Sequence, residues 1–167
     1  IENMTADEIN QVIREEMYYD DHAWQKENNI KITEKFRADG LNKVLYKCPH
    51  CLAEGQTVGK GIHLTCEACG KQWEMTELGE MKALHGETEF SHIPDWYEWE
   101  RECVRQEILA GTYKYEETLP VYTLPGVEYI PIGEATVTHD FENGFVIEGS
   151  YNGHDYKIQR QTKTLYT

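Results

Sequence analysis

Apolar side chains recur every three or four residues near the start of the chain, which predicts an amphipathic helix. Thr5 stands three residues before Glu8, in the pattern of a capping box, so the helix is expected to begin there. Its apolar face comprises Ile9, Val12, Ile13 and Met17. A second, shorter helix is predicted to end near Asn28 and Asn29, with Trp24 and Ile30 as its packing anchors. His22 is expected to be a surface or capping histidine and not a ligand.

The strongest helical pattern covers residues 91 to 113. Pro94 suits the first turn, Asp95 favours the positive end of the helix dipole, and Gly111 suits the stop. The apolar face predicted for this long amphipathic helix comprises Ile93, Trp96, Trp99, Cys103, Val104 and Ile108. Cys103 lies near the middle of that face, so it is expected to be a buried, free thiol.

The pattern changes to period two from Tyr115 onward, which predicts an antiparallel β-meander with turns at "FENG" and "NG". It is expected to run to Thr167, where "KTLYT" still reads as strand. Earlier in the chain, a strand over residues 43 to 47 is predicted after a turn at Gly40, and another strand is predicted to turn near Gly79. The fold class is therefore α+β.

Four of the five cysteines form two Cys-x-x-Cys pairs, Cys48 with Cys51 and Cys66 with Cys69, and fourteen residues separate the pairs. This spacing is typical of a structural zinc ribbon, in which two knuckles present four thiolates to one tetrahedral ion. A closed shell of four sulfurs leaves no position for water or substrate, so the Zn²⁺ is expected to stabilise the fold and not to catalyse.

Redox thiols and disulfides explain the cysteines less well. A redox motif normally has one Cys-x-x-Cys at the start of a helix, whereas this stretch is Gly-rich and strand-like. Disulfides would need an oxidising compartment and would leave Cys103 unpaired. The two knuckles also differ, because Gly70 follows the second pair and Leu52 the first. The first knuckle is therefore expected to be strained or differently shaped.

The chain of 167 residues carries a net charge of −14, and no segment of it is basic. Nucleic acids and anionic lipids are bound by clustered Lys and Arg, so we expect no nucleic-acid partner. No apolar run approaches the roughly 20 residues that span a bilayer. We expect three parts: a helical lead-in (1–43), a zinc ribbon (44–75) and a helix with a β-meander (76–167). Because the sequence begins at Ile1, a piece of a longer protein or a processed chain is expected.

No catalytic residue is predicted. Glu98, Glu100 and Glu102 are expected on the solvated side of the long helix. The adjacent pairs His139–Asp140 and His154–Asp155 lie in predicted strands, where neighbouring side chains point to opposite faces and cannot form a dyad.

Several long segments together resemble one known region. They are "YYDDHAWQKENNIKI", "FRADGLNKVLYKCPHC", "CEACGKQWEM", "GETEFSHIPDWYEWERECVRQEI" and "TVTHDFENGF". Over nearly the whole chain they resemble the region that follows the catalytic domain in bacterial members of the 1-acyl-glycerol-3-phosphate acyltransferase family.

The resemblance implies a parent enzyme of phospholipid biosynthesis that moves a fatty acyl group from a carrier thioester to a lysophosphatidate-like hydroxyl at the cytoplasmic membrane face. Family catalysis uses a His-x-x-x-x-Asp motif, and none of the seven histidines here has an Asp five residues on. The chain is thus interpreted as a cytoplasmic accessory region, inactive alone, whose partner is an upstream acyltransferase domain of the same protein or another protein. The alternative is a free-standing zinc-ribbon module that binds proteins.

Overall fold

The computed structural model describes residues 4 to 161 and confirms the α+β class. In this range the chain forms three α-helices and two antiparallel four-stranded sheets. The helices are α1 (Ala6–Met17), α2 (Asp21–Glu27) and α3 (Ile93–Leu109), and a single 3₁₀ turn covers Leu41–Lys43. The chain divides into two compact units, the first ending at Glu100 and the second beginning at Arg101.

Helix α1 begins where its capping box was predicted. The Thr5 hydroxyl accepts a hydrogen bond from the Glu8 backbone N–H, and the Thr5 N–H donates to the Glu8 carboxylate at 2.7 Å. The apolar face is present, but no residue of the helix is buried, and Val12 and Ile13 are nearly half exposed. The sequence therefore predicted the helix and its cap, but not the exposure of its apolar face.

Helix α2 ends at Glu27 with Asn28 as its C-cap, as predicted, but its buried face differs from the prediction. Trp24 and Ile30 are exposed, and the buried side chain is Gln25. Its amide Nε2 donates to the carbonyl oxygens of Ile30 and Glu77, at 3.0 and 3.1 Å. Gln25 packs inward because it satisfies two main-chain carbonyls there, which an indole in its place would not do.

His22 is half-buried beside the Gly79 turn and is not a cap of α2. The neighbouring Asp20 caps α2 by accepting from the Ala23 N–H at 2.9 Å, and its other carboxylate oxygen contacts His92 Nε2 at 2.7 Å. Asp20 thereby ties the start of α2 to the residue that precedes α3.

The first sheet follows the chain order β1 (Thr57–Lys60), β2 (His63–Cys66), β3 (Gln72–Met75) and β4 (Met81–Ala83). The predicted turn at Gly79, which has a left-handed backbone, joins β3 to β4. The predicted strand over 43–47 is wrong: the 3₁₀ turn ends at Lys43, and the one β-bridge in that stretch pairs Lys47 with Glu54. Fully buried side chains between this sheet and α3 form the core: Leu45, Leu64, Trp73, Met81 and Trp96.

Helix α3 is long, but the predicted continuous apolar face is not confirmed. Its buried residues are Ile93, Trp96 and Glu100, all in the first half. Ile108 is 44% exposed, and Cys103 is partly exposed instead of buried. Burial ends early because the core side chains that contact α3 lie within the unit that ends at Glu100.

The second sheet is the predicted meander, with strands β5 (Lys114–Thr123), β6 (Ile130–Asp140), β7 (Gly144–Tyr151) and β8 (His154–Arg160) in chain order. The β6–β7 and β7–β8 turns fall at "FENG" and "NG", as predicted. The predicted strand at "KTLYT" lies outside the described residues. None of the helices in the described part of the chain has the length and apolarity that crossing a membrane requires.

Candidate metal centre

The sulfur atoms of the four paired cysteines converge at one end of the first sheet. The Sγ atoms of Cys48, Cys51, Cys66 and Cys69 all lie within 4.8 Å of one another. Cys48 Sγ is 3.9 Å from Cys69 Sγ, and Cys51 Sγ is 3.7 Å from Cys66 Sγ. Metal–sulfur bonds of about 2.3 Å in a tetrahedron place sulfurs roughly 3.8 Å apart, so the cluster has the dimensions of a four-thiolate metal site.

The same distances exclude disulfides, whose sulfurs lie about 2.05 Å apart, and all five cysteines are free thiols. The structure therefore brings together the four cysteines that the spacing groups. Cys103 takes no part in the cluster.

The two knuckles have the same backbone geometry. The N–H of Leu52 donates to the Cys48 carbonyl at 2.9 Å, and the N–H of Gly70 donates to the Cys66 carbonyl at 2.8 Å. Both residues have left-handed backbones, with φ of 64° for Leu52 and 75° for Gly70. The first knuckle is thus not differently shaped, but a leucine occupies the conformation that favours glycine.

Burial differs between the sulfurs of each pair. Cys48 and Cys66 are buried, whereas Cys51 and Cys69 are exposed. Burial raises the pKa of the Cys48 thiol to about 12, because an isolated thiolate is poorly solvated in the core. The N–H of Ala53 lowers the pKa of Cys51 by donating to its sulfur. A divalent cation would supply the positive charge that buried thiolates need.

Hydrogen bonds on both sides of Cys48 fix the first knuckle. Its N–H donates to the Ala53 carbonyl at 2.9 Å, which closes the loop around the pair. The Thr57 hydroxyl, buried at the start of β1, donates to the Leu45 carbonyl at 2.7 Å. The Lys47 ammonium contacts the Glu54 carboxylate at 2.8 Å across the isolated bridge.

Two side chains of helix α3 hydrogen-bond to the main chain of Lys47, the residue that precedes Cys48. The Trp96 indole N–H donates to the Lys47 carbonyl at 3.0 Å, and the Glu100 carboxylate accepts from the Lys47 N–H at 2.8 Å. Trp96 and Glu100 stand four residues apart, on one side of the helix, and both are completely buried. Trp96 also packs on Trp73, with ring centroids 5.0 Å apart.

The prediction that Glu100 lies on a solvated face is therefore wrong. Burial raises its pKa to about 7, and the hydrogen bond from the Lys47 N–H opposes the rise only in part. One carboxylate oxygen, Oε2, is buried without a hydrogen-bond partner. Helical periodicity could not identify Glu100, because its partner is a main-chain group 53 residues away.

The Glu89 carboxylate contacts three side chains near the cysteine cluster. Its carboxylate accepts from the Trp73 indole N–H at 3.2 Å and contacts both the Lys71 ammonium and, at 3.4 Å, the imidazole of His50. Burial is the largest single effect and favours the neutral acid, but the hydrogen bonds from Lys71, the Glu89 backbone N–H and Trp73 together outweigh it and hold the pKa of Glu89 below its usual range. Sequence analysis missed this contact, whose partners come from three separate segments.

The predicted absence of a His–Asp dyad at residues 139 and 140 agrees with the local contacts. His139 Nδ1 is hydrogen-bonded to the Tyr113 hydroxyl at 3.2 Å, whereas the Asp140 carboxylate accepts from Asn143 in the following turn.

Among the residues that the structure describes, the four cysteines are the one group of three or more His, Cys, Asp or Glu side chains with metal-ligand spacing. Comparison with protein-family models, with characterised proteins and with solved structures gives no significant match for this chain.

Proposed function

We propose that this chain is a zinc-stabilised accessory region that supports a partner domain and performs no chemistry itself. The observation that carries the proposal is the four-sulfur cluster, whose separations match a tetrahedral site. Zn²⁺ is the ion we propose, because it prefers tetrahedral thiolate ligands and stabilises small folds that cannot bury a large core.

The arrangement around the cluster favours a structural role for the ion. All four ligands come from the chain, so a bound ion has no open position for water or substrate. The buried contacts of Trp96 and Glu100 hold the first knuckle from outside the metal shell. Such a site orders the backbone between residues 45 and 83 and presents its surface in one conformation.

Elemental analysis of the purified chain, kept in reducing and chelator-free buffer, tests the metal. We expect one zinc ion per chain, and loss of zinc on Cys51→Ser. Cys103→Ser is the matched control, since that cysteine lies outside the cluster, and it should keep the full metal content. A chain with well under one zinc, or with another metal after growth in zinc-replete medium, contradicts the proposal.

The partner we propose is an acyltransferase domain, and the support for it is the sequence resemblance together with the missing His-x-x-x-x-Asp motif. General-base catalysis of acyl transfer needs a positioned base beside the attacking hydroxyl. None of the seven histidines has an Asp five residues on, so the catalytic residues of that family have no counterpart in this chain.

Acyl transfer from a thioester to lysophosphatidate is the assay that tests this partner. We expect no turnover by residues 1–167 and clear turnover by the product of the complete gene. Turnover by residues 1–167 alone overturns the accessory role. A complete gene product without an acyltransferase domain points instead to a free-standing interaction module.

A further inference from the structure

The hairpin between β5 and β6 exposes an unusual amount of apolar surface at its tip. The last paired residues are Thr123 and Ile130, so residues 124 to 129 extend beyond the sheet. Val127 is 97% exposed and Leu124 is 51% exposed. Side chains this apolar and this exposed at one place mark an interaction surface.

The composition of this hairpin sets it apart from the rest of the chain. Between residues 118 and 133 the one charged residue is Glu128, although 28% of the whole chain is charged. No lysine or arginine occurs between Lys114 and Lys157. The apolar surface continues from the tip onto the sheet as a shallow groove of about 560 Å³. The side chains that line it are all uncharged: Leu119, Pro120, Val121, Tyr122, Tyr129 and Val137.

Side-chain polarity changes in layers along the strand axis. Aliphatic Leu124 and Val127 lie in the loop, Tyr129 is the last residue of the loop, and Tyr122 lies near the end of β5; both tyrosines are more than half exposed. The nearest charged residue on β6 is Glu134, which pairs with Pro120. At about 3.3 Å per residue, this pair lies roughly 10 Å below the last pair of the hairpin.

From this order we propose that the β5–β6 hairpin inserts into the surface of a lipid bilayer made of zwitterionic lipids. Aliphatic Leu124 and Val127 enter the boundary between headgroups and acyl chains, and the tyrosines occupy the interface together with the Glu128 carboxylate. The next charged side chain of the hairpin on β6, Glu134, stays in water, which completes the sequence of layers that a bilayer surface presents. A protein partner would need no such order along one axis.

The charge of the hairpin selects the type of lipid. Glu128 and the net charge of −14 are repelled by an anionic surface, and residues 115 to 156 contain no lysine or arginine to offset them. Zwitterionic headgroups carry a cationic amine that Glu128 can approach at the tip. The proposal goes beyond the proposed function and rests on neither the metal nor the acyltransferase, because the hairpin lies in the unit that begins at Arg101.

Co-sedimentation of the zinc-loaded chain with phosphatidylcholine vesicles tests the proposal. We expect a bound fraction that rises with lipid concentration, and an about tenfold lower partition coefficient for Val127→Asp, because a carboxylate resists transfer out of water. Phe141→Asp is the matched control, since Phe141 is also exposed (69%) and lies just past the opposite end of β6. It adds the same charge and should bind as the unaltered chain does.

A second measurement locates the contact. In NMR spectra with zwitterionic bicelles, amide signals of residues 122 to 130 should broaden first. Absence of binding, equal losses for both variants, or binding that grows with phosphatidylglycerol content overturns the proposal. Self-association of the chain that Val127→Asp abolishes, without vesicle binding, would assign the hairpin to a protein contact instead.

Discussion

Leu52 is the residue at which the two metal knuckles differ in chemistry while agreeing in shape. Both knuckles place a left-handed residue after the second cysteine, and only the second uses glycine. A side chain with a Cβ makes that backbone costly, by about 1–2 kcal/mol. Because Leu52 is 60% exposed, little packing offsets this cost.

We therefore expect Leu52→Gly to raise the free energy of unfolding of the zinc-loaded chain by about 1 kcal/mol. Gly70→Ala, at the matching position of the second knuckle, should lower it by about the same amount. Denaturant titration followed by tryptophan fluorescence measures both. Destabilisation by Leu52→Gly would mean that the leucine side chain has a role which its exposure does not reveal.

Glu100 makes the stability of the chain depend on pH. Its pKa rises from an ordinary 4.5 to about 7 on folding, so the folded chain binds the proton more tightly than the unfolded chain does. The stabilisation from the protonated carboxyl is complete below pH 4.5 and is lost as the pH rises towards 7. The loss amounts to about 3 kcal/mol.

Glu100→Gln should remove this dependence, because the amide oxygen still accepts from the Lys47 N–H and carries no charge. The difference in unfolding free energy between variant and unaltered chain should be near zero at pH 4 and should favour the variant at pH 8. Comparing the two chains cancels the loss of metal that acid causes in both. A constant difference across this window would show that Glu100 does not titrate there.

Residue-level prediction from sequence succeeded for the cysteines and failed for Glu100 and Gln25. The cysteine spacing carries its own geometry, because each pair is local and one ion needs four ligands. Glu100 and Gln25 are polar side chains buried by hydrogen bonds to main-chain groups that are distant in sequence. No local pattern specifies those partners, so the general preference for exposing polar residues gave the wrong answer.

At the scale of elements, strand β1 packs against the turn before the 3₁₀ segment with no room for a side chain. A Cβ placed on Gly59 would lie 2.2 Å from the Ala38 carbonyl oxygen. The Gly59 N–H also donates to the Asn42 side chain at 3.2 Å. In the sequence this glycine is only one of several in a Gly-rich, strand-like stretch, because the residues that come close to it belong to another element.

Gly59→Ala is expected to destabilise the chain by about 1–3 kcal/mol, since a backbone atom must move to admit the methyl group. Gly126→Ala is the control, because nothing lies within 4 Å of a Cβ there and φ is not in the left-handed region. Thermal unfolding of both zinc-loaded variants makes the comparison. Equal melting temperatures would show that β1 and this turn separate easily.

Periodicity identified all three helices but not what each helix buries. The caps of α1 and α2 are local features, so their ends could be predicted. The apolar faces of α1 and of the second half of α3 remain exposed, since burial depends on a partner surface that the helix itself does not encode. The order of strands was predictable because each strand pairs with its neighbour in sequence.

At the scale of the whole molecule, the division at Glu100 predicts that metal removal affects one part of the chain. A strong zinc chelator in reducing buffer should abolish amide protection over residues 45 to 83, because the binding energy of the ion is also folding energy there. Strands β5 to β8 should keep their protection. Hydrogen exchange with mass spectrometry measures both regions, and uniform loss of protection would contradict the division.

The hydrogen bonds from α3 to the main chain of Lys47 have a consequence for the kinetics of folding. Every strand pair in both sheets closes a short segment of chain, whereas the Trp96 and Glu100 contacts with Lys47 close loops of 49 and 53 residues. Longer loops have a larger entropic barrier to closure, so the first sheet, β1 to β4, is expected to form before α3 packs against Lys47. The ion can then bind before α3 has packed against the first knuckle. Packing of α3 afterwards restricts access to the ion, so we expect zinc release from the folded chain to be much slower than zinc binding during folding.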